Sequence, residues 1–175
     1  MDKSALLDII LERKSVRHFT VQPVSRSLLD TLMRAGMAAP SAKNKQPWAF
    51  VAVTDRNILD FMAGGLPSCK MLAQAPAAIV VCGDMEKITS DVDKSYWTQD
   101  CSAVTQNILL AAEAIGLGAV WTAAYPYKER TGVVIKALQL PEHILPLNVI
   151  PIGYPTGEDL PKNKYKPENI HWEKW

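Results

Sequence analysis

RAGMAAPSAKNKQPWAFVAV, residues 34–53, contains the two changes of rhythm that decide the fold. Its first part closes SRSLLDTLMRAGMAA, 25–39, where Leu28, Leu29, Leu32 and Met33 recur at helical spacing behind a capping Ser25. Pro40 stops that helix. PSAKNKQP, 40–47, consists largely of turn formers, and WAFVAV, 48–53, then reads as a buried strand. A helix that feeds a buried strand through a polar loop belongs to a layered α and β structure.

The pattern continues outward in both directions. Leu6, Leu7 and Ile10 mark a helix over 4–13. A short helix at 55–63 ends at Gly64-Gly65, and AAIVVCG, 77–83, is a second strand. SYWTQDCSAVTQNILLAAEAIGLG, 95–118, is the longest helix candidate, with Gly116 and Gly118 at its end. Its small residues Ser102, Ala103, Ala111, Ala112 and Ala114 allow another helix to approach closely. A strand at 119–123, a helix near 127–138 and a strand at 147–154 follow, and Pro151 inside the last predicts an edge or a bulge. The order predicts an α+β fold on a mixed sheet, in a single domain covering 1–175 without repeats. The final stretch, 155–175, is too long for a loop and too polar to fold alone, yet it carries Tyr165, Trp172 and Trp175. It reads as an arm lying on another surface, expected to be a partner subunit, with a frayed tail as the alternative.

Bulk properties remove several classes of function. With 175 residues, 48% apolar and 21% charged, the chain suits one globular domain. A net charge of +1 lacks the basic excess of a nucleic-acid binder. No apolar run is long enough for a bilayer and no export signal opens the chain, so a cytoplasmic location is expected. Cys69, Cys82 and Cys101 are far apart, and His18, His143 and His171 are scattered, which predicts neither a disulfide framework nor a metal site. The histidines are taken as structural. No Ser-His-Asp order or carboxylate pair points to hydrolysis.

The chemistry-bearing residues lie in two places. ERKSVRHF, 12–19, sets Arg13, Lys14 and Arg17 at or just past a helix end. Cations there complement the helix dipole; alternatively, Arg13 and Arg17, converging if the helical turn continues, grip a phosphate with Ser15 as a further donor. The chain has no Gly-x-Gly-x-x-Gly and no Walker-type Gly-Lys-Ser, so a phosphorylated ligand would be held by side chains, as suits a mononucleotide. In the 40–47 loop, Ser41, Asn44 and Gln46 offer hydroxyl and amide groups fit for the edge of a ring. Trp48, drawn into the core, would hold Gln46 close by.

ERKSVRHF, RAGMAAPSAKNKQPWAFVAV, QNILLAAEAIGLGAVW and VIPIGYPTGE, in that order and spacing, resemble the flavin-dependent nitroreductase family over nearly the whole chain. The resemblance implies a three-layer α+β fold: a mixed, mainly antiparallel sheet flanked by helices, in an intertwined homodimer with a C-terminal arm. It implies non-covalent FMN at the subunit interface, with NADH or NADPH as electron donor and a small-molecule acceptor such as a nitroaromatic or a quinone. Arg13, Ser15 and Arg17 match the family's phosphate and ribityl motif, with Lys14 where an arginine is frequent. Ser41, Ala42, Asn44 and Gln46 match the loop that reaches the flavin, usually from the other subunit. Trp121, Thr122, Ala123 and Ala124 match the segment along the ring, whose backbone N–H is expected at the hydride-accepting nitrogen. Lys164 matches a tail cation at the phosphate, with Lys162 and Lys166 close by. Leu66, Pro67, Lys70, Tyr96 and Trp97 are candidates for a substrate pocket, or for core and surface. No catalytic side chain and no metal are implied, because the hard step belongs to the cofactor. Alternatives are a specialised FMN enzyme of this fold (dehydrogenation, dehalogenation or flavin breakdown), a flavin-binding module, and a basic cluster that only ends a helix.

Overall fold

β2 (Ala77–Asp84) runs through the middle of the sheet and is buried on both faces in the computed structural model, which describes residues 3–88 and 90–175. Its side chains alternate between two cores. Ala77, Ile79 and Val81 pack with α2 (Arg26–Met37) and α5 (Trp97–Ala114). Ala78, Val80 and Cys82 pack with α3 (Arg56–Gly65) and α6 (Lys128–Leu138). A strand covered on both faces needs a continuous apolar run, which is what AAIVVCG supplies. The result is helix, sheet, helix: the three layers expected.

β1 (Trp48–Val53) pairs with β2 from Trp48↔Gly83 to Val53↔Ala78 and forms one edge of the sheet. β5 (Ile144–Gly153) pairs with the other side of β2. β3 (Gly118–Ala119) and β4 (Thr122–Ala123) both pair with the far side of β5. Every ladder recorded among the described residues is antiparallel. β5 is therefore an interior strand. The edge predicted from Pro151 is corrected: this residue faces Ala78 on one side and the gap between β3 and β4 on the other. A proline is accommodated where one flank has no strand awaiting its N–H. The strand does bulge, but at Leu147, where the register jumps from Val81↔Asn148 to Cys82↔Pro146.

The largest differences from the sequence reading lie in three elements, one of them the strand expected at 147–154, which already begins at Ile144. The helix of 95–118 is shorter than expected: α5 begins at Trp97 and stops at Ala114, and a separate short helix, α4 (Asp91–Lys94), precedes it. Gly116 supplies the stop, at φ 76°, and lets Leu117 N–H turn back onto Ala112 O at 2.8 Å. Gly118 lies beyond, inside β3. The strand of 119–123 is two short pieces, interrupted at Val120 and Trp121. Ser25 caps α2 as expected, accepting from Leu28 N–H at 3.3 Å. α1 (Lys3–Glu12) packs on α5 but leaves Leu6, Leu7, Ile10 and Leu11 exposed. Beyond β5 the chain makes one isolated bridge, Phe19↔Pro155, and one short turn at Pro167–Asn169. Leu160, Tyr165, Trp172 and Trp175 remain exposed along it.

Candidate functional site

The helix α1 closes with Arg13 N–H on Ile9 O at 3.0 Å, and residues 13–18 are not helical. Arg13 and Arg17 are thus not brought together by a continued turn. Tertiary contacts order the segment instead. Val16 N–H donates to Ala119 O at 3.0 Å, and the Val16 side chain is buried against Gly118. A Cβ on Gly118 would stand 2.5 Å from Val16 Cγ1, so this approach requires glycine. On the other flank, Thr20 N–H donates to Tyr154 O at 2.8 Å and Thr156 N–H to His18 O at 3.1 Å.

Asp159 locks this clasp. Its Oδ2 accepts from Arg17 N–H at 2.8 Å and His18 N–H at 3.1 Å, with His18 Nδ1 at 3.2 Å. Burial opposes the charge on Asp159, but the two backbone donors and the His18 ring outweigh it and hold the carboxyl below the usual carboxylate range. The chain then returns through 161–164 beside the end of α1. Together these segments enclose a cavity of about 490 Å³ whose wall includes Arg13, Lys14, Ser15, Arg17 and Lys164. Lys162 joins them, and among the described residues Glu158 and Asp159 are the only carboxylates in the wall. A second cavity of about 560 Å³ shares Arg13, Lys162 and Lys164 and has Ile10 and Leu11 on its floor.

Among the described residues, Arg13, Arg17, Lys162 and Lys164 have no carboxylate partner within ion-pair distance, and the Ser15 hydroxyl makes no hydrogen bond. Lys14 differs: its ammonium lies 2.6 Å from Glu113 on α5, which takes up much of its charge. Unpaired cations gathered around a half-open cavity attract an anion, and guanidinium forks suit phosphate oxygens.

The loop before β1 has a different character. Lys43, Asn44 and Gln46 all adopt positive φ, at 51°, 54° and 48°. Gln46 N–H donates to Ser41 Oγ at 2.9 Å, and Gln46 Nε2 donates to Asn44 Oδ1 at 2.9 Å. That pairing leaves the Asn44 amide N–H groups and Gln46 Oε1 without partners among the described residues, a donor beside an acceptor. From outside, Asp100 Oδ1 accepts from Ala42 N–H at 2.9 Å, and Asp93 Oδ1 lies 2.8 Å from Lys43 Nζ. Neither cationic cavity has a wall from this loop.

In the segment after β3, Trp121 is exposed and Thr122 and Ala124 are buried. The Thr122 hydroxyl donates to Val149 O at 2.7 Å, with Cys69 Sγ at 3.0 Å. Ala124 and Tyr125 N–H both donate to the bulged Leu147 O at 3.0 Å, which fixes the course of 121–125 across β5. Of the pocket candidates, Leu66 and Trp97 are core residues, and Trp97 sets its edge against Tyr125 at 4.9 Å. Lys70 Nζ donates to Ala63 O at 3.2 Å, at the end of α3. Pro67 and Tyr96 are exposed. Burial raises the thiols of Cys69 to about 11, and of Cys82 and Cys101 to about 12, so none is a nucleophile near neutral pH.

The sequence reading missed Asp93, Asp100, Glu113 and Asp159, because each meets its partner across tens of residues without a local signal. For Lys162 the composition of the tail was signal enough to mark it as a neighbour of Lys164.

Comparison with known proteins follows the same outline. A profile described as "Nitroreductase family" matches residues 10–68 and 63–154. A relative from Methanothermobacter thermautotrophicus, provisionally named NADH dehydrogenase/NAD(P)H nitroreductase, is 40% identical over 177 residues, covering 100% of this chain and 90% of its own. A similarly named crystal structure from Parabacteroides distasonis superposes with a TM-score of 0.92 at 54% identity, over 98% of this chain and 99% of that one. A provisionally named nitroreductase from Desulfovibrio desulfuricans, crystallised in complex with FMN, gives a TM-score of 0.81 at 27% identity and 97% coverage of both chains.

Proposed function

The chain belongs to the nitroreductase family and is an oxidoreductase, and from that premise we propose that it binds FMN and uses NADH or NADPH to reduce nitroaromatics, quinones or similar acceptors in a ping-pong cycle. The observation that carries this reading is the cationic cavity formed by 13–17 and 158–164. Its residues fit a phosphate: forked and pointed cations, a free hydroxyl, and no competing ion pair at Arg13 or Arg17. When bound, FMN supplies two-electron hydride chemistry that no side chain of the chain offers. The protein supplies placement. Arg13, Arg17 and Lys164 neutralise the phosphate, and Ser15 donates to it or to the ribityl chain. Ser41, Asn44 and Gln46 meet the polar edge of the ring, and 121–124 carries backbone N–H groups along it. Pro67, Lys70 and Tyr96 are the exposed candidates for contact with the acceptor.

The cavity and the amide loop share no wall within one chain, which supports a site completed by a second copy. Three uncovered surfaces support a homodimer as well: the Leu6, Leu7, Ile10 and Leu11 face of α1, the free edge of β1, and the aromatic arm of 155–175, read as lying on the partner. No helix among the described residues is long and apolar enough to cross a membrane, and a cytoplasmic site of action fits this chemistry. The test is spectroscopic and kinetic. Purified protein incubated with FMN should turn yellow and oxidise NADH or NADPH when a quinone or nitroaromatic is added. A colourless protein refutes FMN binding; a yellow protein without turnover makes it a flavin-binding module.

A further inference from the structure

We propose that Asp100 and Asp93 are positioning residues for flavin binding: from α5 and α4 they hold the 41–46 loop in the strained shape that presents Ser41, Asn44 and Gln46 to the ring. This deepens the FMN reading and rests on it. The loop has an unusual backbone. Lys43, Asn44 and Gln46 are all left-handed without being glycine, at φ 51°, 54° and 48°. Such residues persist only where the surroundings over-determine them. The internal bonds, Gln46 N–H to Ser41 Oγ and Gln46 Nε2 to Asn44 Oδ1, shape the second half of the loop but do not fix it to the body of the protein.

Asp100 and Asp93 do that. Both are nearly buried, at 7% exposure each, and a buried carboxylate is costly unless it is paired. Asp100 meets its requirement with Ala42 N–H at 2.9 Å, across 58 residues of sequence. Asp93 meets it with Lys43 Nζ at 2.8 Å. The hydrogen bond and charge of Lys43, the Ser90 hydroxyl and the more distant Lys45 together keep the Asp93 carboxyl below its ordinary range. The two anchors grip consecutive residues at the start of the strained turn. Release of either frees the loop to relax, and the amide pair loses its fixed separation. Neither carboxylate is assigned a contact with the flavin; both act through the loop.

The test titrates flavin-free protein with FMN, following quenching of flavin fluorescence and the visible spectrum of the bound form. Asp100→Ala should weaken FMN binding about tenfold, in line with the loss of a charge-assisted hydrogen bond. It should also shift the bound spectrum, because the ring edge meets a loop of different shape. Asp100→Asn should recover most of the affinity, since its amide oxygen still accepts from Ala42 N–H. Lys43→Met, which removes the Asp93 anchor and leaves that carboxylate unpaired at some cost in stability, should weaken binding several-fold. Wild-type affinity and spectrum in folded Asp100→Ala, or in Lys43→Met should Asp100→Ala not fold, overturn the inference alone. A wild-type protein that binds no FMN overturns the inference together with the reading beneath it.

Discussion

The cationic cavity and the amide loop solve opposite problems of recognition. The cavity has ordinary backbone geometry: no residue from 13 to 19 has positive φ. Its specificity lies in long side chains around an open space, ordered by a clasp of backbone hydrogen bonds to Asp159, Tyr154 and Ala119. The loop has short polar side chains on a strained backbone, pinned from beneath by two carboxylates. The difference follows from how the forces decay. Coulomb attraction falls off slowly, so a phosphate tolerates cations that are ångströms out of place. A neutral hydrogen bond does not, so amides that read a ring edge must be held in shape. The cavity should therefore be sensitive to lost charge and the loop to lost anchors.

The severest break comes where the cavity segment packs Val16 directly on the backbone of Gly118. Gly118→Val places a β-branched side chain where a Cβ alone would lie 2.5 Å from Val16 Cγ1, and Val16 is itself stiff at χ1. The 13–17 segment must lift from β3. Overpacking of this kind costs about 2–3 kcal/mol. Thermal melts should show a lower Tm, and FMN affinity should fall with it, while the loop keeps its bound spectrum. An unchanged Tm would mean that the segment yields freely and is not ordered by β3.

Next in size is Arg17→Ala, which removes a guanidinium that has no carboxylate partner among the described residues and whose one hydrogen bond, to Ser15 O at 3.2 Å, is local. FMN binding should weaken by about 1.5–3 kcal/mol, the range for a charge-assisted hydrogen bond. Unlike Asp100→Ala, it should leave the visible spectrum of the bound flavin as it was. Equal spectral shifts from both would erase the distinction between a charge site and a shape site.

The two regions were also unequally legible. Strands 48–53 and 77–83 read correctly because apolar runs bounded by turn formers have few other solutions. The strand expected at 119–123 is two short pairs, 118–119 and 122–123, since their interruption depends on the path of β5 and not on their own residues. Pro151 misled for a related reason: its tolerance depends on a gap in a neighbouring strand. In ERKSVRHF the charge itself carries the function proposed, so composition names the candidate residues, although only the family resemblance favours a phosphate grip over a helix end. In PSAKNKQP the polar groups could be named, but their orientation depends on Asp93 in the short α4 and Asp100 in the first turn of α5, about 50 residues downstream.

Acid should separate the regions further through Asp159. Its carboxyl is held below the usual range, so the unfolded chain takes up its proton first as pH falls. The stability that Asp159 gives the clasp is complete well above the ordinary carboxylate value of about 3.9, and disappears as pH falls through the lower folded value. Asp159→Asn should be less stable than wild type in urea at pH 7, and the gap should close below about pH 4. A gap that persists in acid would assign the effect to packing instead of charge.

The smallest effect bears on which tail cation completes the cavity. Lys162 and Lys164 both line it, and both are exposed. An exposed ammonium gains little from one more anion, since ordering its stem costs entropy and salt screens it; such contacts contribute less than about 1 kcal/mol. Either alanine substitution should therefore weaken FMN binding only about two- to fivefold at low salt. Arginine substitution is the more discriminating experiment. A guanidinium can engage a phosphate with two parallel N–H bonds where an ammonium acts as a point charge. Lys164→Arg should tighten FMN binding modestly and make it less sensitive to salt, while Lys162→Arg should change neither, because only the residue that reaches the phosphate can convert charge into a fork. The reverse result would move the contact two residues along the tail and leave the rest of the cavity as described.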